Sequence, residues 1–204
     1  MIPVSTLILV GVIIAVIALI LLVFAKQYRK VGPNEVLIIA GGRKRTVVSP
    51  EGAKVKVGYR YRLGGGTFVL PFAETVYRLP MDVISLNIKT PEVLTNSGVP
   101  IMAEATAQVK VDSSDHAIRL AAEQFLGVGK DGIRDVALNV LEGHMREVMG
   151  TMTVEQIVRG RQEFSARVSE ALKPDLSRMG LVMLSFALKD ISDTQGFLDS
   201  LSKP

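Results

Sequence analysis

Cysteine is absent from the 204-residue chain. Without it there is no disulfide framework, no thiolate zinc or iron–sulfur site, no cysteine nucleophile and no palmitoylation anchor. Tryptophan is also absent, and aromatic residues make up only 5% of the sequence. Histidine occurs twice, as His116 and His144, without the HExxH-type spacing that sets two imidazoles on one metal ion. No GxSxG elbow is present and no triad spacing is recognisable, so hydrolase chemistry has no carrier. These gaps point to a non-enzymatic protein that binds no cofactor. Charge is missing from one long stretch, Val4 to Ala25, which concentrates the apolar weight of a chain that is 48% hydrophobic.

That stretch holds only Ser5, Thr6 and Gly11 as non-apolar residues, all near its start. As a helix it would run roughly 33 Å at about 1.5 Å per residue, against a bilayer core of about 30 Å. A secretory signal peptide needs a basic lead-in and a shorter apolar core. Here only Met1, Ile2 and Pro3 precede the run. The expectation is a retained transmembrane helix from Val4 to Ala25. Lys26, Arg29 and Lys30 follow it directly, which predicts an outside N-terminus and a cytoplasmic remainder in the cell membrane.

Basic residues are unevenly placed. Residues 26–62 carry ten Lys or Arg against two Glu, and the rest of the chain is mildly acidic. A polybasic stretch beside a bilayer attracts anionic lipid. Lys26, Arg29, Lys30, Arg43, Lys44 and Arg45 are the candidate contacts. Nucleic acid is the other common partner of basic patches, but the tether and the scarcity of aromatics favour lipid. A solvated surface that merely fixes topology would look the same in sequence.

Beyond the anchor, Val31–Asn34 reads as a turn and Glu35–Ala40 as a short strand closed by Gly41-Gly42. Residues 43–66 are basic and glycine-rich. Thr67–Phe72 and Thr75–Leu79 are short strand-like runs. Val83–Lys89 alternates, Asn96-Ser97-Gly98 turns, and Ile101–Val111 alternates over its whole length with Ile101, Ala103, Ala105, Ala107, Val109 and Val111 on one face. The period then becomes helical. Ser113–Asp115 offers N-caps for a helix to Leu126. A second helix starts at Asp131 and carries His144 on its apolar stripe. A third is opened by the capping box Thr153-Val154-Glu155-Gln156, with a kink or restart expected at Pro174 and a stop at Gly180. Leu181–Leu188 alternates again, placing Val182, Leu184, Phe186 and Leu188 together, and a short amphipathic piece, Phe197–Leu201, follows. The order gives an α+β fold. The expected divisions are 1–30 (anchor and basic segment), 31–112 (β-rich subdomain) and 113–204 (α/β subdomain).

Three features invite chemistry. Gly127–Gly132 matches GxGxxG, but it follows a helix rather than a strand and reads better as a helix–helix connection. His144 sits where a core or interface histidine with a satisfied hydrogen bond is usual. Phe68, Leu70, Pro71 and Phe72 form an apolar run after three glycines, suited either to a membrane interface or to a buried strand end.

Several stretches in order resemble flotillins, within the SPFH (band 7) superfamily. Val31-Gly32-Pro33-Asn34-Glu35 resembles the opening of the family domain. Gly65-Gly66 with Phe68, Pro71 and Phe72 resembles its apolar loop. Val93-Leu94-Thr95 with Gly98-Val99-Pro100, and then Ala107–Val111, resemble its hairpin. Glu123–Gly127 is similar to the end of its first helix. Leu141-Glu142-Gly143-His144-Met145-Arg146 followed by Gly150–Glu155 is the most specific match, and Ser185–Ile191 resembles the closing strand. The resemblance implies an SPFH domain on the membrane and self-association into homo-oligomers. It implies a scaffold that organises membrane microdomains, with the loop of Phe68, Leu70, Pro71 and Phe72 touching the bilayer. It also suggests an NfeD-type membrane protein as candidate partner. A membrane-tethered adaptor that regulates a protease or other membrane client is the alternative. The anchor differs from that of lipidated eukaryotic flotillins and matches a bacterial type. Flotillins continue into a long coiled coil, whereas this sequence reaches Pro204 without sustained heptads.

Overall fold

The computed structural model describes residues 4–48, 54–70 and 73–193, with side chains at 9–23, 25–41, 58–70 and 73–193. The piece expected at Phe197–Leu201 lies outside the described residues. The chain divides into two compact units, Met1–Arg78 and Leu79–Pro204.

The N-terminal unit begins with α1 (Val4–Lys26). One residue later β1 (Tyr28–Val48) starts, and it pairs antiparallel with β2 (Lys54–Phe68). β3 (Thr75–Pro80) completes the sheet in the order β2-β1-β3. The strand expected over Glu35–Ala40 is thus the middle of a much longer one. Gly32-Pro33-Asn34 and Gly41-Gly42 do not end it. They fall where the pairing register slips, between Val31 and Val36 and between Ala40 and Arg45. Turn-forming residues here make bulges, which bend a ladder without breaking it. The basic, glycine-rich segment is likewise strand, because Lys54–Phe68 has β1 to pair with. Val31, Leu37, Ile39 and Val69 form the core of this unit, with Val76 packed against it.

The C-terminal unit is a second sheet covered by helices. β6 (Pro100–Val111) is its centre. β4 (Ile84–Lys89) and the two-residue β5 (Val93–Leu94) pair along β6 on one side, and β7 (Leu181–Ser192) on the other, all antiparallel. The alternation read in β6 holds: Ile101, Ala103, Ala105, Ala107, Val109 and Val111 are all buried. The helices are α2 (Asp115–Phe125), α3 (Gly129–Thr151), α4 (Val154–Arg159) and α5 (Arg161–Arg178). Ser114 caps α2, and Thr153 with Gln156 forms the full capping box of α4. Ile133, Ala137, Leu141 and Met145 of α3 and Phe164, Val168, Leu172 and Leu176 of α5 are buried. Each such large side chain contributes on the order of 1.5–3 kcal/mol by leaving water.

Three expectations need correction. The boundary expected at 112/113 lies at 78/79, because β4, β5 and β6 join the helices that follow them instead of the hairpin before them. The third helix is two, broken at Gly160, and α5 runs through Pro174 without interruption. Pro174 is exposed while Leu172 and Leu176 on either side are buried, so packing outweighs one missing backbone hydrogen bond. In β7 the expected face is split. The register with β6 slips at Leu184 and Lys189, so Leu181, Met183, Phe186, Leu188 and Ile191 lie opposite the buried residues of β6. Leu184 is pushed outward and is 49% exposed.

Candidate membrane interface

Five of the residues singled out in sequence, Lys26, Arg29, Lys30, Phe68 and Leu70, gather at one end of the N-terminal unit. α1 ends at Lys26, and Tyr28, the first residue of β1, pairs with Phe68, the last of β2. Their rings meet edge to face at 5.3 Å between centroids. The Val69 amide donates to the carbonyl of Gln27 at 3.4 Å, so the chain leaving β2 returns to the helix exit. Tyr28, Phe68 and Leu70 are 46%, 59% and 60% exposed, and Val69 between them is buried. Alternation therefore turns Phe68 and Leu70 outward and uses Val69 to hold the loop to the core. Pro71 and Phe72 lie outside the described residues.

Gly66 lies opposite Lys30 in the ladder, and the Tyr28 side chain reaches diagonally over it, so that a Cβ at Gly66 would occupy the position of the phenol ring. The aromatic ring lies over the strand only because that residue has no side chain. Lys26, Arg29 and Lys30 are exposed at the same end. Arg43, Lys44 and Arg45 lie further along β1, and their side chains are outside the described residues.

A pair of charged residues that sequence reasoning missed fixes the loop. Arg60 donates to the carboxylate of Glu74 at 2.9 Å and to the carbonyl of Phe68 at 2.9 Å. The same carboxylate oxygen accepts from the Leu70 amide at 3.0 Å, and the Glu74 amide donates to the Leu70 carbonyl at 3.1 Å. The Glu74 side chain is only 6% exposed, and Arg60 places the opposite charge directly beside it. Gly41 (φ +101) approaches from β1, where a Cβ would lie 2.5 Å from the Ala73 carbonyl oxygen. Arg60 looked in sequence like one more member of a basic run, and its partner is 14 residues away. No short-range pattern links the two.

The apolar character of α1 is visible at 9–23, where every residue is exposed among the described side chains. Those positions alone fall short of the roughly 20 residues a crossing needs. Among the described residues no helix is long and apolar enough to cross a membrane. The described residues also hold no cluster of three metal-ligating groups. His144, in the C-terminal unit, has Nε2 2.8 Å from the Asp175 carboxylate and Nδ1 3.1 Å from that of Glu147. It joins α3 to α5. Gly127–Gly132 covers the short connection after α2 and the first turn of α3, with Gly127 and Gly129 at positive φ.

Residues 29–204 match the SPFH domain / Band 7 family. The chain belongs to this family. It is 43% identical over 199 residues to the flotillin-like protein FloT of Bacillus subtilis (strain 168), covering 96% of this chain and 38% of that protein. It is 38% identical over 172 residues to flotillin-1 of Drosophila melanogaster, covering 83% and 37%. Against flotillin-1 of Homo sapiens it is 38% identical over 173 residues, covering 84% and 38%. The chain thus spans about 38% of the length of these relatives. The resemblance to flotillins read from the motifs is borne out. The family match begins at Arg29, where α1 has just given way to β1.

Proposed function

We propose that this protein is a membrane-anchored, flotillin-like scaffold, without enzymatic activity, that self-associates and organises membrane microdomains. The observation that carries the reading is the direct junction of α1 with a sheet end that exposes Tyr28, Phe68 and Leu70 beside Lys26, Arg29 and Lys30. In this reading α1, from Val4 to Ala25, crosses the bilayer once. The SPFH domain lies on the cytoplasmic side, as positive-inside asymmetry favours. Phe68 and Leu70, with Pro71 and Phe72, enter the interface, where aromatic and leucyl side chains partition well. Lys26, Arg29, Lys30, Arg43, Lys44 and Arg45 contact anionic headgroups, each contributing about 1 kcal/mol when close to the surface. An NfeD-type membrane protein is the candidate partner.

Two measurements on the full chain test this. Alkaline carbonate extraction of membranes should leave it in the pellet, and release into the supernatant would exclude a crossing helix. Light scattering of the detergent-solubilised chain, corrected for the micelle, should give a discrete assembly of many copies. A monomer would remove self-association from the reading.

A further inference from the structure

A second surface lies in the C-terminal unit, away from the anchor in sequence and independent of the membrane reading. Among the described residues β7 pairs only with β6, so its other edge carries unused main-chain donors and acceptors. From Leu181 to Leu188 the strand has neither charge nor proline, two of the means by which natural sheets block their edges. The bulge at Leu184 could turn the edge away from a partner. Here it instead sends an exposed apolar side chain over an adjoining cleft.

That cleft, about 580 Å³, is bounded by β7, by α5 and by the first turn of α2. Leu176, Leu184 and Phe186 supply apolar lining. Lys173 of α5 and His116 of α2 also line it, both exposed and without an ion-pair partner among the described residues. The acid in the lining, Asp112, is already engaged: its carboxylate accepts from the Ser113 amide at 2.8 Å and the Ser114 hydroxyl at 2.7 Å. The cleft therefore offers one unpaired ammonium, that of Lys173, next to an apolar floor and an unpaired strand. A small organic anion would use the first two and leave the strand unsatisfied. An extended peptide uses all three, drawing affinity from main-chain pairing and specificity from side-chain pockets.

We propose that β7, from Val182 to Phe186, receives an extended segment of a partner protein as an added strand. One apolar side chain of that segment packs on Leu184 and Phe186, and one acidic side chain approaches Lys173 and His116. Five residues of pairing cover about 17 Å.

The test pans a phage-displayed library of random nine-residue peptides on the full chain in nanodiscs, with the Leu184→Asp chain as counter-target. Enriched peptides should alternate apolar residues and carry an Asp or Glu. The best of them, synthesised, should bind at least tenfold more weakly to Lys173→Glu, and changing its acid to Lys should restore binding to that variant. N-methylation of alternate amides in the peptide, which leaves the protein untouched, should also weaken binding at least tenfold. Both substituted positions are exposed, and unchanged melting temperatures would show the variants folded. Absence of enrichment over the counter-target would overturn the proposal, as would a peptide indifferent to N-methylation. Binding seen only after shortening the chain to end at Asp193 would make residues 194–204 the occupant. A fall in assembly mass on Leu184→Asp, without peptide enrichment, would make a second copy the occupant. Either result overturns the partner-peptide assignment.

Discussion

At the scale of single residues, glycine separates two kinds of necessity. Gly180 ends α5 at φ +71, and a Cβ there would collide with the Ala117 carbonyl and lie 2.7 Å from the Ala121 amide nitrogen. Gly98 has a similar φ, +74, but open space around it. Gly98→Ala should cost only the left-handed backbone penalty, about 1–2 kcal/mol. Gly180→Ala must also move α2, so its unfolding midpoint should fall clearly further; equal losses would mean that α2 yields freely. Charge gives a second test. Lys89 and Glu104 face each other across β4 and β6 at 2.8 Å. The hydrogen bond from Lys89, and then its charge, hold the Glu104 carboxyl below the usual carboxylate range, and Glu104 raises Lys89 in the same way. The contribution of Glu104 is therefore full above the ordinary carboxylate pKa and lost as pH falls through its lowered value. That of Lys89 is lost only as pH rises through its raised value. Melting curves of Glu104→Gln should lie below the parent at neutral pH and converge with it in acid; a gap that persists at low pH would contradict the assignment. His144 marks the limit of reading at this scale. Its stripe position was legible, and Glu147 lies within helical reach, but Asp175, 31 residues on, becomes a neighbour only through the packing of α3 on α5.

Elements were legible where one physical signal acted alone. β6 has an uninterrupted period of two, and the capping box of α4 has the right residues at the right spacing. Thr153→Ala should therefore cost about 1 kcal/mol by removing a helix cap, read as a shift in the melting temperature of the full chain. Elements were obscured where glycine and proline had two available uses. In β1 they looked like strand ends and proved to be bulges within a strand, because pairing with β2 continues past them. In β7 the bulge at Leu184 reverses the parity of the residues from there to the second bulge at Lys189, so alternation drawn from Val182 onward joins two different faces. The Arg60–Glu74 pair belongs to this scale as well, because it holds the segment between β2 and β3. Glu74→Gln should leave the hairpin intact but speed hydrogen exchange at the Leu70 amide by about tenfold, taking one hydrogen bond to a charged group as about 1.5 kcal/mol. Unchanged exchange would show that Val69 alone anchors the loop.

At the scale of the whole molecule, the motifs identified the SPFH family, while the division into units followed from contacts that no single stretch encodes. The absence of cysteine becomes useful here. Phe68→Cys and, as a control in the C-terminal unit, Val83→Cys each give a single labelling site in the full chain. In vesicles containing anionic lipid, a polarity-sensitive dye at position 68 should shift to the blue and be quenched by nitroxide-labelled lipid, and one at position 83 should not. Equal quenching at both sites would argue against a dedicated interface loop. With Lys26, Arg29 and Lys30 changed to Gln, quenching at 68 should lessen and lose its salt dependence.

Only Gln27 separates the end of α1 from the start of β1. A joint that short has no slack, so it works as a crank and not as a rope. If α1 tilts to fit a thinner hydrocarbon layer, the sheet must turn with it, and bilayer thickness is converted into the angle at which the domain meets the lipid. Three glycines inserted after Gln27 should abolish any dependence of dye depth at position 68 on acyl-chain length, and a dependence that survives the insertion would show that the loop, not the helix, sets the angle.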